Sequence, residues 1–472
     1  MFISPAMSLY TRRRWYSIPA QCQCAGGFLP RAVPGALCVI IFTLLLATSL
    51  HAAARERAKT PLASTTFYVP EEMEVGLAII ARSPGASWGE KGSEASAVSI
   101  YVDGIYNQDL LLYGGAGEFS YRVMLGRLSR GRHAVSARLN LIRSARGARQ
   151  AEISSLEPLL LGRLHQKANE DLLAMAHSPV LFARANTIDH FTDVPLVMYY
   201  EVGRERDDLT LRYTVIFSHE DGGTPSSALM ARWGRATDIE WVYQVRFRKG
   251  EVVERIYQGV RHETKAFTGD FASGSHPLLA VASDNNNFSD LATSVVRFAL
   301  LPVRARLEAT SREAIMDANP WTYRLMVEEL LRERRIDPAA KTPNMIADPR
   351  EYLYVEAYAE QQGTAISLAV ADSQATAISE SDLGDARLRV DRDGYFRIAV
   401  RLPSGHKDRL SITLRCHASE EPAARRECGR ARVAKALLLG ESFALRELRV
   451  AEQTEKSLKP GETLQFSAVA DQ

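Results

Sequence analysis

The sequence predicts a mostly β, multidomain protein. It comprises an immunoglobulin-like N-terminal β-sandwich, a central β-sandwich and a C-terminal β-domain, joined by short helices. Period-two runs rich in Val, Ile, Tyr and Trp, broken by Gly, Asn and Asp turns, recur through most of the chain. Helical spacing is confined to short stretches. About 418 of the 472 residues remain beyond a distinctive leader, too many for one core and suited to two or three domains.

Residues 1–54 read as a secretory signal peptide. They hold Arg12, Arg13, Arg14 and Arg31 and no acid, and Ala36–Leu50 is the apolar run ALCVIIFTLLLATSL. The small-residue site His51-Ala52-Ala53-Ala54 follows. A basic start, an apolar middle and an A-x-A end mark cleavage after Ala54, and so a periplasmic or extracellular protein. If the leader is retained, its uncharged span is long enough to act as a membrane anchor.

Loss of those four arginines lowers Lys plus Arg from 58 to 54 against 56 acids, taking the net charge from +2 to near −2. With no basic block left, nucleic acid is excluded as a partner. Of five cysteines, only Cys416 and Cys428 lie beyond the leader, and in an exported chain they read as one disulfide.

Residues 66–149 are expected to form the first sandwich, with turns at Asp103-Gly104 and Gly114-Gly115. Residues 150–176, including SSLEPLLLGRLHQKANEDLLAMA, carry apolar residues at helical spacing and are read as a connecting helix. Residues 177–305 supply the strands of the central domain. Residues 310–350 are read as a helical linker. Thr310-Ser311-Arg312-Glu313 fits a capping box there, and Asn319-Pro320 starts a second helix with a stripe of Leu325, Met326, Leu330 and Leu331. Residues 351–470 form the third β-domain, with a hairpin turn at Asp391-Arg392-Asp393-Gly394.

The chemistry concentrates in the central domain. His219-Glu220-Asp221-Gly222-Gly223 sits where one strand ends, and Asp238 and Glu240 sit where the next begins. Strand residues two apart share a face, so Asp238 and Glu240 present paired carboxylates with Trp241 opposite. Carboxylates with a nearby His suit a divalent cation such as Ca²⁺, or acid–base work. His276 and the run from Asp284 to Asn287 offer further nitrogen and oxygen ligands. No zinc-protease, phosphate-loop or nucleophile-elbow spacing is present. The favoured function is an exported binding or structural protein whose partner is carbohydrate or a cell-surface polymer. The alternative is an exported metal-dependent hydrolase using the central cluster.

This region resembles the vacuolar-protein-sorting sixty-two-like family of plants, fungi and some bacteria. The matching residues are His177-Ser178-Pro179-Val180, Tyr213 to Gly223, Asp238-Ile239-Glu240-Trp241, and His276-Pro277-Leu278-Leu279 running into Ser283. Ala236-Thr237 stand where that family has Gly before the Asp. Trp241 stands where it has His after the Glu, and Asp284-Asn285 where a later His falls. The resemblance implies a β-rich fold over about residues 177–300 and no defined activity.

Overall fold

Seven strands open the fold of this computed structural model: β1 (Ala63–Val69), β2 (Met73–Arg82), β3 (Ala97–Val102), β4 (Ile105–Leu111), β5 (Phe119–Leu128), β6 (Gly131–Leu139) and β7 (Glu152–Gly162). The structure describes residues 60–472 except 163–168, 185–186, 188–190, 192, 221–222, 292, 338, 340–341, 372–375, 379–385, 403–408, 420–422, 424–425, 452–453 and 471–472. The described residues belong to one compact unit, Ala58–Gln472. No described helix is long and apolar enough to cross a membrane, and the apolar leader lies outside the described residues.

Sheets β1-β6-β3-β4 and β5-β2-β7 face each other as a sandwich. Alternating residues such as Val75, Leu77, Ile79, Val98, Ile100 and Val135 are buried between them. Asp103 (φ 51°) and Gly104 (φ 80°) make the expected tight turn between β3 and β4. β7 corrects the expected connecting helix. Residues 152–162 pair along β2, and only Glu170–Ala176 is helical (α1). The leucines at helical spacing fit a half-buried strand equally well once β2 supplies a partner, so tertiary pairing overrides the local pattern.

The central strands are β8 (Val180–Phe182), β9 (Pro195–Glu205), β10 (Asp208–Phe217), β11 (Asp238–Arg248), β12 (Glu251–Gln258), β13 (Thr264–Ala266), β14 (Phe271–Ala272), β15 (His276–Val281), β16 (Phe288–Ser289), β17 (Arg297–Phe298) and β18 (Val303–Arg304). One sheet runs β13-β12-β11-β10-β9-β18. The other runs β14-β15-β8-β17, with β16 on β15. Tyr213, Val215, Phe217, Tyr243, Leu279 and Phe288 fill the space between. Helix α2 (Ser226–Trp233) lies in the β10–β11 connection and ends at Gly234, whose φ of 62° is the left-handed stop common after helices.

Helices α3 (Ala314–Asp317) and α4 (Trp321–Arg332) follow. On α4, Leu325, Met326 and Leu330 are buried, whereas Leu331 is half exposed and faces out. The capping box does not form. The hydroxyls of Thr310 and Ser311 donate instead to buried Glu356, at 2.8 and 2.7 Å, and Glu313 pairs with Arg235 at 3.1 Å.

The last strands are β19 (Tyr352–Gln362), β20 (Thr364–Ala371), β21 (Thr376–Ile378), β22 (Gly394–Arg401), β23 (Arg409–Ala418), β24 (Glu427–Leu439), β25 (Leu445–Ala451), β26 (Lys456–Leu458) and β27 (Thr463–Val469). They form one nearly closed, barrel-like sheet in the order β21-β20-β23-β27-β25-β24-β19-β22, with β26 on β24. Cys416 on β23 and Cys428 on β24 meet in disulfide geometry, with Cα atoms 6.1 Å apart. Asp391-Arg392-Asp393 is a docking loop rather than a hairpin turn. Asp391 pairs with Arg232 of α2 at 3.0 Å, and Arg392 donates to the Arg232 carbonyl at 2.6 Å. Fully buried Arg397 joins β22 to the helices, donating to Asp317 at 2.7 and 2.6 Å, to Tyr323 at 2.8 Å and to Glu356 at 3.1 Å.

Candidate functional site

The register of β10 and β11 builds the candidate site. Phe217 lies opposite Asp238, and Val215 lies opposite Glu240. Directly opposed residues share a face, and Phe217 and Val215 belong to the core between the central sheets. Asp238 and Glu240 therefore turn inward at one end of that core. Trp241 is on the other face, with the Arg212 guanidinium 5.7 Å from its ring. Glu220, just past the end of β10, arrives at the same end.

Two connections complete the site. β12 ends at Gln258, and the turn Val260–His262 follows, with Arg261 and His262 at φ 63° and 59°. The β15–β16 loop supplies Asn285, Asn286 and Asn287. Gln258 Nε2 donates to Glu240 Oε2 and lies 2.7 Å from His262 Nδ1. His262 Nδ1 is 3.7 Å from Glu240, and Asn285 Nδ2 lies 2.8 Å from His262 Nε2. Asn286 Nδ2 donates to Asp238 at 2.9 Å and to Asp193 at 3.2 Å. Arg184 bridges Asp193 to Asp284, so exposed Asp284 stands at the rim.

The electrostatics are those of crowded, buried acids. Burial pushes the Asp238 carboxyl well above the usual carboxylate range, and the negative charges of Glu240 and Glu220 push it further. Arg235 and the Asn286 hydrogen bond only partly oppose this. Burial also raises Glu220, against a hydrogen bond from Thr224. The His262 imidazole is raised chiefly by Glu240. The side-chain oxygens of Gln258 and Asn286 are buried and accept no hydrogen bond among the described residues. Such orphaned oxygens beside carboxylates are the hard donor set that Ca²⁺ or Mg²⁺ prefers. No group of three or more His, Cys, Asp or Glu that could hold a metal ion exists among the described residues. A cation here would draw on those amide oxygens as well as the acids.

The structure thus brings Glu220, Asp238 and Glu240 together, with Asp284 at the rim. It takes His219 and His276 elsewhere. His219 turns toward Glu333 at the end of α4, 3.5 Å away. His276 is locked in the seam with the N-terminal sandwich, its Nδ1 2.8 Å from the Ser178 carbonyl and its Nε2 3.0 Å from Glu74. Asp221 lies outside the described residues. Sequence reasoning missed Gln258, His262, Arg184 and Asp193. The only local signal was the polar cluster Gln258-Gly259 and His262 closing an otherwise apolar strand.

Comparison with known proteins adds little. No family model matches the chain, and no curated protein matches it. Two solved structures, NLPPya in complex with mannosamine and NLPPya in complex with glucosamine, match at 12% identity. They cover 29% of this chain and 74% of theirs, with TM-scores of 0.21 and 0.22. Likeness at that level carries neither fold nor function to this chain.

Proposed function

We propose that this is an exported, β-rich binding protein of the envelope or extracellular space. Its central domain takes a hard divalent cation such as Ca²⁺ where Asp238 and Glu240 meet the amide oxygens of Gln258 and Asn286, with Glu220 adding negative charge nearby, and its partner is a carbohydrate or other cell-surface polymer. The observation that carries the cation is the pair Asp238 and Glu240 beside two buried amide oxygens, of Asn286 and Gln258, that accept no hydrogen bond among the described residues. A divalent ion would relieve the mutual repulsion and satisfy both oxygens together. The leader supports export. The likeness to the vacuolar-protein-sorting sixty-two-like family supports a β-rich fold for the central region and adds no activity. The hydrolase alternative is weaker, because it counted on His276, which packs against Glu74.

Titration calorimetry with CaCl₂ and MgCl₂ on chelator-stripped protein tests the cation, together with thermal melts with and without EDTA. About one ion per chain is expected, with a melting temperature that falls in EDTA. In Asp238→Asn both effects should vanish, while melting in EDTA should match or exceed wild type, since a repelled charge is gone. Absence of binding heat and of any EDTA effect in the wild type would refute the reading.

A further inference from the structure

We propose that the trench on the outer face of the central sheet, remote in facing from the acidic cluster, is where a neutral oligosaccharide binds. This rests on the carbohydrate reading above and assigns it a surface. The trench has a volume of about 340 Å³, at the small end of ligand pockets, which run about 300–1,000 Å³.

The sheet register lays out its floor. Arg212 of β10 is directly opposite Glu201 of β9 on one side and Gln244 of β11 on the other, so the three side chains form one row. In the next row, Gly203 is opposite Thr210. Having no side chain, Gly203 leaves open the space beside that row. The segment after β18, with Leu307 and Glu308, makes the far wall.

This surface offers donors and acceptors side by side. Arg212 Nε donates to Gln244 Oε1 at 2.9 Å, and the guanidinium also lies over Trp241. Two fixed contacts hold the arginine in place before any ligand arrives, which reduces the ordering cost of binding. The Gln244 amide N–H groups and the Thr210 hydroxyl add donors. Glu201 is an acceptor, and burial in the trench raises its carboxyl, with Glu308 adding to the effect and Arg212 and Arg312 opposing it.

Vicinal hydroxyls, each both donor and acceptor, match such a row. The charges also choose the ligand class. Arg212 lines the trench beside Glu201 and Glu308, and Arg312, outside the lining, also opposes the charge of Glu201, so the trench has no strong net field to favour an ionic ligand.

The test uses biolayer interferometry with an immobilised panel of neutral hexasaccharides (gluco-, manno-, galacto- and N-acetylglucosamine series). Charged oligosaccharides and an extended peptide serve as comparison probes. The variants are Glu201→Ala, Gln244→Ala, Gly203→Leu and Asp238→Asn. A Cβ on Gly203 would meet only the Thr210 Cβ, at 3.6 Å, so Gly203→Leu fills the trench without a clash at the backbone. Melting temperatures near wild type confirm that each variant is folded.

Wild-type binding to at least one neutral hexamer is expected, weakened at least tenfold in the three trench variants and kept in Asp238→Asn. Neutral-glycan binding that survives all three trench variants overturns this inference and leaves the carbohydrate reading standing. A wild-type protein that binds none of the oligosaccharides, or only the peptide, overturns both. Binding only to charged oligosaccharides overturns this inference and leaves the carbohydrate reading standing.

Discussion

Replacing Glu329 by Gln removes one negative charge from the seam between α4 and the N-terminal sandwich, and the structure sets the pH at which that charge matters. Glu329 is fully buried. Trp88 Nε1 donates to its Oε2 at 3.0 Å. Its Oε1 is 3.1 Å from Arg332 Nη2 but out of hydrogen-bond alignment. Burial therefore outweighs the arginine, Glu333 adds repulsion, and the carboxyl is pushed from 4.5 up to about 7. At about 1.4 kcal/mol per pH unit, that difference is worth roughly 3 kcal/mol. The sign follows from linkage. Between about pH 4.5 and 7 the folded protein holds a proton that the unfolded chain has released. The stabilisation is complete below the unfolded value and is lost as pH rises through about 7. Glutamine keeps the shape and an acceptor for Trp88 but cannot titrate. Arg332 stays charged throughout, so any cost of leaving it without a carboxylate is the same at every pH. Urea unfolding of both proteins at intervals from about pH 5 to pH 8 should show wild type losing roughly 2–3 kcal/mol more than Glu329→Gln. Parallel curves would refute the argument, because the buried carboxyl would then titrate alike in folded and unfolded chains.

Three further outcomes follow from the packing and the leader. Arg397→Ala strands Asp317 and buried Glu356 and should cost about 3–5 kcal/mol in urea unfolding, part of it recovered by adding Glu356→Gln. Reduction of Cys416–Cys428, or Cys428→Ser, opens a short loop of 12-residue separation and should cost about 2–4 kcal/mol, read as a lower thermal midpoint in reducing than in oxidising buffer. Expression of the whole sequence in an export-competent host should yield protein whose first residue by N-terminal sequencing is Arg55, whereas an uncleaved, membrane-bound product would make the leader an anchor.

The β architecture was legible because alternation is local. A strand such as β10 reads apolar-in and polar-out from its own ten residues, LTLRYTVIF among them, whatever it pairs with. The same locality put Asp238 and Glu240 on one face and Trp241 on the other. It was also why β7 misled: EISSLEPLLLG satisfies helical spacing as well as a half-buried strand, and only pairing with β2 chooses between them. The capping box at Thr310 failed for a related reason, since two residues distant in the chain take its parts: Lys435 donates to the Thr310 hydroxyl oxygen, and Arg235 pairs with the Glu313 carboxylate.

What the sequence by itself determined is the strand-rich fold class, the cysteine pairing, and the carboxylates at the β10–β11 end. What only the tertiary structure decided is which side chains share a site. His276 and His262 are both polar residues beside apolar strands, and nothing within a few positions of either separates them. The seam with the N-terminal sandwich gives His276 to Glu74, and the bend after β12 brings His262 to Glu240. Such convergence depends on contacts between segments distant in the chain, whose closure is set by the packed core rather than by any local preference.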